Sequence, residues 1–170
     1  MDFFETVTNR RSIRAFLDKK IEPETLHKIL ETVNLAPSAG NLQAYSIYLV
    51  RNKKAKEEFA FASDQEFIAQ APVVFVFSAQ KKQSEVKYHD KGYDLYAIQD
   101  ATIAAAYCQL AATALGLGSV WVGGFDTLEV ARLIGAGEHE VPVAIIPVGY
   151  FAQMPERATR KELKKIVKEM

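Results

Sequence analysis

Residues Tyr93 to Leu115 read as one long helix, and from Ala101 onward the run ATIAAAYCQLAATAL is apolar almost all the way round. A helix without a polar face must be covered on every side. With 170 residues, 49% of them hydrophobic, the chain can bury one sizeable core and is read as a single domain spanning 1–170. Complete cover for such a helix is easier if a second copy of the chain supplies part of it. Asp100 is the charged exception within it, and a carboxylate so placed needs a partner, so it is read as a structural anchor.

The remaining elements fall around this helix. Asp2 to Thr8 reads as a short helix. A second begins at Pro23, buries Leu26, Ile29, Leu30 and Val33 at three-and-four spacing, and ends near Ala36, because Pro37 disfavours helical backbone in the residue before it. Strands are expected over Tyr45–Val50, Val73–Ser78, Ser119–Val122 and Val143–Tyr150, with helices over Lys53–Ala62 and Leu128–Ile134. Val73–Ser78 is apolar at nearly every position, hence buried on both faces, and periodicity alone suggests a parallel α/β sheet. The polar stretch Gln80–Gly92 reads as an exposed loop and a candidate lid, with Tyr88, His89 and Tyr93 as candidate substrate contacts. The tail is basic over Pro155–Lys161, and Leu163, Ile166 and Val167 then suggest a weak amphipathic helix.

Three stretches carry chemistry. Asn9-Arg10-Arg11-Ser12-Ile13-Arg14 brings three guanidinium groups within five residues. Fixed cations at that spacing repel one another unless an anion joins them, and arginine's planar fork with a neighbouring hydroxyl suits a phosphate. Pro37-Ser38-Ala39-Gly40-Asn41-Leu42-Gln43 combines small side chains, which let a ligand approach the backbone, with two amide side chains that both donate and accept. Gly123-Gly124, at a strand end, exposes backbone amides. Gly116 and Gly118 do not make a dinucleotide fingerprint, because a helix precedes them, a strand follows, and Trp121 stands where a third glycine belongs. Gly116 is instead a helix stop.

Composition excludes several classes. Lys plus Arg equals Asp plus Glu at 21 each, which argues against a general nucleic-acid binder. His27, His89 and His139 are far apart and lack cysteine partners, so no metal-ligand spacing is present; Cys108 reads as a small core residue. The acidic start Met1-Asp2-Phe3-Phe4-Glu5 is unlike a signal peptide and no apolar run is long enough for a bilayer, so no membrane partner and a cytoplasmic location are expected.

Taken in order, the arginine cluster, the Pro37–Gln43 loop, Gln99-Asp100, the segment Gly116–Phe125 and Pro147-Val148-Gly149-Tyr150 with its basic tail resemble the FMN-dependent nitroreductase family. The resemblance covers nearly the whole chain. It implies an α+β fold with a mostly antiparallel sheet flanked by helices, and an intertwined homodimer with FMN at the subunit interface. NADH or NADPH would donate electrons, and a nitroaromatic, quinone or similar small acceptor would take them by a ping-pong route. It places the FMN phosphate against Arg10, Ser12 and Arg160, with Arg11 alongside, and Arg14 near the pyrimidine edge of the flavin. It lays Pro37, Ser38, Ala39 and Asn41 of the partner over the ring, with Gln43 just behind, and sets Gly123 against N5 and Gly124 near O4. No catalytic acid or base is implied, since the hard chemistry belongs to the cofactor. Ala44 departs from the family, where a proline is common, and the segments that shape the substrate side are reduced. Alternative readings are a reductive dehalogenase, a flavin-fragmenting relative, or a non-enzymatic module that binds some other phosphate.

Overall fold

A strand turns successive side chains to opposite faces, so one that is apolar throughout must lie between two hydrophobic layers. The computed structural model, which describes all 170 residues, places β2 (Val73–Gln80) in that position. Val73, Phe75 and Phe77 enter one layer with Leu26, Ile29 and Val33 of α2 (Pro23–Asn34) and with Ala104, Ala105 and Cys108 of α6 (Ala97–Ala114). Val74 and Val76 enter the other with Phe59 of α3 (Lys53–Ser63), Ile68 of α4 (Phe67–Gln70) and Val130 of α7 (Thr127–Ile134). A short α1 (Phe3–Asn9) starts the chain, its first turn closed by Asp2 and Glu5, each accepting from the other's backbone N–H.

The sheet runs β1 (Tyr45–Val50), β2, β4 (Glu140–Gly149), β3 (Gly118–Ser119), and every pairing is antiparallel. The parallel arrangement expected from periodicity is corrected, and the antiparallel α+β fold implied by the family resemblance is found. A strand buried on both faces reads as a continuous apolar run in either direction, so hydropathy carries no information about polarity of pairing. The predicted strand Ser119–Val122 is regular only at its start and touches β4 again at Val122, which bridges to Ile145.

Two further expectations need correction. Gln80–Gly92 is not a loop: Lys81–Lys91 forms α5, kinked at His89 where the backbone is non-helical (φ 50°, ψ −142°), and the long helix begins at Ala97 after a π-helical turn over Gly92–Tyr96. Of α5 only Ser84 is buried, so the element has no apolar stripe to mark it as a helix. The tail forms a single 3-10 turn, Leu163–Lys165, rather than an amphipathic helix, and Leu163, Ile166 and Val167 are exposed. The long helix itself is covered on most sides, yet Leu95, Thr102, Ala106 and Ala114 face outward beside the half-buried Ile98, Ile103, Tyr107 and Leu110. This apolar stripe continues into a groove shared with Phe3 of α1 and Leu35, which are 66% and 77% exposed. No helix is long and apolar enough to cross a membrane.

The three long strands are joined at one end by a polar cluster. Tyr48 Oη donates to Glu140 Oε1 at 2.7 Å, and Ser78 Oγ donates to the same oxygen. Burial alone would push Glu140 up, but hydrogen bonds from Ser78, Tyr48, Gln80 and the Gly137 backbone hold its carboxyl below the usual range. Tyr48 is pushed up to about 12 by burial and by its bond to Glu140. A depressed folded-state value means that the carboxylate stabilises the fold at neutral pH and that this contribution fades as pH falls through it. Glu140→Gln should therefore lower stability by about 1–3 kcal/mol at neutral pH. Urea unfolding of parent and variant should show that gap shrinking at acid pH, where both side chains are uncharged.

Candidate functional site

The arginine segment is pinned by backbone pairing on both sides. Ile13 N–H donates to Ser119 O at 3.0 Å, Leu17 N–H to Tyr150 O at 2.8 Å, and Ala152 N–H to Ala15 O at 2.9 Å. Ile13 is 2% exposed and Phe16 8%, so both act as apolar pegs. Gly118 has to be glycine for this approach, since a Cβ there would lie 2.6 Å from Ile13 Cγ1. The pairing with Tyr150 and Ala152 also carries the tail back along the same edge.

In consequence Arg10, Arg11, Ser12 and Arg14 line one cleft together with Arg157 and Arg160. None of these arginines has a carboxylate within 4.0 Å, and Glu156 is the one acidic residue of the lining. Burial lowers the Arg10 pKa, and the charges of Arg160 and Arg11 lower it further. The cleft thus disfavours its own charge, a condition that an anion relieves. Arg11 is partly committed: its Nη1 donates to Thr8 O at 2.7 Å and to Arg10 O at 3.1 Å, while its Nε is buried without a partner. Sequence reasoning missed Arg157. Its only signal is a spacing of three residues from Arg160 in the tail, which gains meaning once the tail is folded onto the edge. No cluster of His, Cys, Asp or Glu is placed to hold a metal ion.

The second predicted stretch is a rigid loop tied to the long helix. Asp100, 2% exposed, accepts from Ala39 N–H at 2.8 Å and from Ala44 N–H at 3.4 Å, so it anchors structure as expected. Ala44 therefore uses the N–H that a proline would lack. Gly40, Asn41 and Gln43 all have positive φ, at 56°, 59° and 46°. Asn41 and Gln43 support each other there, Gln43 Nε2 donating to Asn41 O and Oδ1 at 2.8 Å, while Ser38 Oγ accepts from Gln43 N–H at 2.9 Å. Helix α5 braces the loop from outside, with Gln83 Nε2 donating to Leu42 O at 2.6 Å.

The third stretch, Gly123-Gly124, follows the Val122 bridge to Ile145 and is exposed. A Cβ on Gly124 would meet nothing within 4 Å, so its backbone is open to approach. Neither Pro37–Gln43 nor Gly123-Gly124 lines the arginine cleft of the same chain. One chain brings Arg10, Arg11, Ser12, Arg14 and Arg160 together and leaves Pro37, Ser38, Ala39, Asn41 and Gln43 apart from them.

The profile of the nitroreductase family matches residues 7–64 and 60–150. Among relatives, the NADPH-flavin oxidoreductase of Vibrio harveyi is 31% identical over 160 residues, 89% of this chain and 67% of its own. An FMN reductase [NAD(P)H] of Bacillus subtilis is 28% identical over 173 residues, 94% of this chain and 70% of its own. The fold is similar to a solved NADPH:FMN oxidoreductase from Vibrio harveyi complexed with NAD+, with a TM-score of 0.89 at 29% identity, covering 98% of this chain and 75% of that one.

The Asp100 anchor yields a direct expectation. Asp100→Asn keeps one acceptor oxygen but turns an amide N–H₂ toward a backbone donor. It should cost about 1–3 kcal/mol in stability. Limited proteolysis should then cut first within residues 37–43; a variant as resistant there as the parent would contradict the anchoring role.

Proposed function

The chain belongs to the nitroreductase family, and on that footing we propose that it is an FMN-dependent oxidoreductase that passes electrons from NADH or NADPH to a nitroaromatic, quinone or similar small acceptor. The observation that carries this reading is the set of guanidinium groups gathered in one cleft with no carboxylate paired to any of them. A terminal phosphate monoester, with nearly two negative charges at neutral pH, fits that deficit.

When bound, FMN would accept a hydride from the nicotinamide and later release two electrons to the acceptor, so donor and acceptor would use one face in turn. The protein's own part is positional and electrostatic. Arg10, Ser12 and Arg160 hold the phosphate, and Arg11 and Arg157 add positive charge around it. Arg14, farther along the same edge, stabilises negative charge at the pyrimidine side of the ring, an effect of order 10² to 10³ in rate for electrostatic stabilisers. Gly123 and Gly124 offer backbone amides to N5 and O4 where a side chain would hold the ring away. Pro37, Ser38, Ala39 and Asn41 of the partner subunit would cover the ring, with Gln43 stiffening that loop from behind. No side chain need serve as a general acid or base.

The homodimer is supported by the uncovered stripe of α6, by the groove it shares with Phe3 and Leu35, and by the exposed apolar residues of the tail. A contiguous apolar surface of that kind marks an interface. The ligand loop, kept away from the arginine cleft of its own chain, is then free to complete the site of another. A cytoplasmic location, where both nicotinamide donors are at hand, is the location proposed with this reading.

The test is anaerobic. NADPH or NADH added without oxygen should bleach the bound flavin, and a quinone or nitroaromatic added afterwards should restore the yellow colour. Initial rates with both substrates varied should give parallel reciprocal plots. A flavin that neither nicotinamide bleaches would overturn the reading.

A further inference from the structure

Helix α5 carries four lysines, and they fall into two kinds. Lys81 and Lys82 are engaged locally: Lys81 Nζ lies 3.9 Å from Asp94 and 3.9 Å above the Tyr93 ring, and Lys82 Nζ lies 2.6 Å from Glu85. Lys87 and Lys91 have no carboxylate within 4.0 Å. Each is drawn over an aromatic ring instead, Lys87 Nζ 5.5 Å from the centre of Tyr88 and Lys91 Nζ 5.4 Å from the centre of Tyr96. The two rings meet edge to face at 5.1 Å. The result is one continuous patch of two aromatic rings and two unneutralised ammonium groups. Asp90, on the same helix, is exposed and is not paired with either lysine.

The patch adjoins the ligand loop. At Gly40 the position of a Cβ would lie 2.5 Å from Tyr88 Oη and 2.6 Å from Lys87 Nζ, so the ends of these two α5 side chains lie against the loop and form one surface with it. Under the flavin reading above, on which this inference rests, that loop covers the ring. The patch then borders the face where the electron donor enters. We propose that it receives the 2′-phosphoadenosine end of the donor, so that the enzyme selects NADPH over NADH. The adenine has aromatic rings to pack against, and lysine binds phosphate as a compact point charge. Two free ammonium groups match the nearly two charges of a phosphate monoester better than the single charge of a carboxylate on an oxidant.

The test compares kcat/KM for NADPH and NADH in flavin-loaded parent, Lys87→Gln, Lys91→Gln and the double variant, with Lys54→Gln on α3 as a charge-matched control. Losing one charged contact to phosphate should lower the NADPH-to-NADH ratio about tenfold, and more in the double variant. The control should keep the parent ratio. Adenosine 2′,5′-bisphosphate should inhibit the parent competitively against NADPH more strongly than 5′-AMP does, and lose that advantage in the double variant. Visible absorbance of each protein separates the two levels of failure. If flavin is bound and bleached but the ratio is near one, or is unmoved in the double variant, selection by α5 is wrong while the flavin reading stands. If the double variant instead slows turnover of an anionic oxidant such as nitrobenzoate at an unchanged ratio, the patch serves the oxidant and the assignment is wrong. A protein that takes up no flavin ends both.

Discussion

Holding like charges together with no carboxylate paired to them is the constraint on which the site depends. Arg10, Arg11, Arg14, Arg157 and Arg160 line one cleft, where burial lowers the pKa of Arg10 and the charges of Arg160 and Arg11 lower it further. Apart from the bonds of Arg11 to Thr8 O and Arg10 O, local contacts do little to keep the arginines there. They are held because Ile13 and Phe16 are buried, because the edge of β3 accepts from the Ile13 N–H, and because Ala152 ties the tail to Ala15. The hydrophobic core and a few strand-like hydrogen bonds thus fix the geometry, and the electrostatic cost is relieved only by an anion. Under the proposed function a dianionic phosphate would do so while gaining several charged hydrogen bonds, each contributing about 1.5–3 kcal/mol.

A second constraint links the interior to the loop. Asn41 and Gln43 occupy left-handed backbone, which for residues other than glycine costs of order 1–3 kcal/mol each, less for asparagine. The bonds from Ala39 and Ala44 to buried Asp100 offset a cost of that size, and α5 adds Gln83 from outside. The loop is therefore preorganised by the same helix whose outer apolar stripe stays uncovered in the single chain. Core packing, loop shape and the proposed subunit contact all run through α6.

Much of this was legible in the residues themselves. Leu26, Ile29 and Val33 marked the buried face of α2, Gly116 marked the stop of α6 and adopts φ 76°, and Asp100 announced a partner by being charged in an apolar helix. The clustering of Arg10, Arg11 and Arg14 needed no fold to be noticed. What failed did so for definable reasons. The direction of strand pairing leaves no trace in a strand apolar on both faces. Helix α5 has only Ser84 buried, so its sequence looks like a solvated loop although Lys and Gln are good helix formers. Arg157 joins the site through the pairing of Ala152 with Ala15, a contact between chain ends that no local pattern encodes. The tail residues Leu163, Ile166 and Val167 have the spacing of an amphipathic helix but nothing in their own chain to lie on.

The central claim is that one site is built from the arginine cleft of one chain and the Pro37–Gln43 loop of another. Mixed dimers test it most directly. Two variants are prepared, Arg10→Ala/Arg160→Ala in the cleft and Asn41→Ala/Gln43→Ala in the loop, each binding FMN poorly as a homodimer. When the two are unfolded together and reassembled, a mixed dimer has one site carrying both defects and one site carrying neither. The account predicts that isolated mixed dimers bind FMN with parent affinity at half the parent stoichiometry. Mixed dimers that remain as weak as their parents would show that cleft and loop serve the site of the same chain, or no common site, and would contradict it.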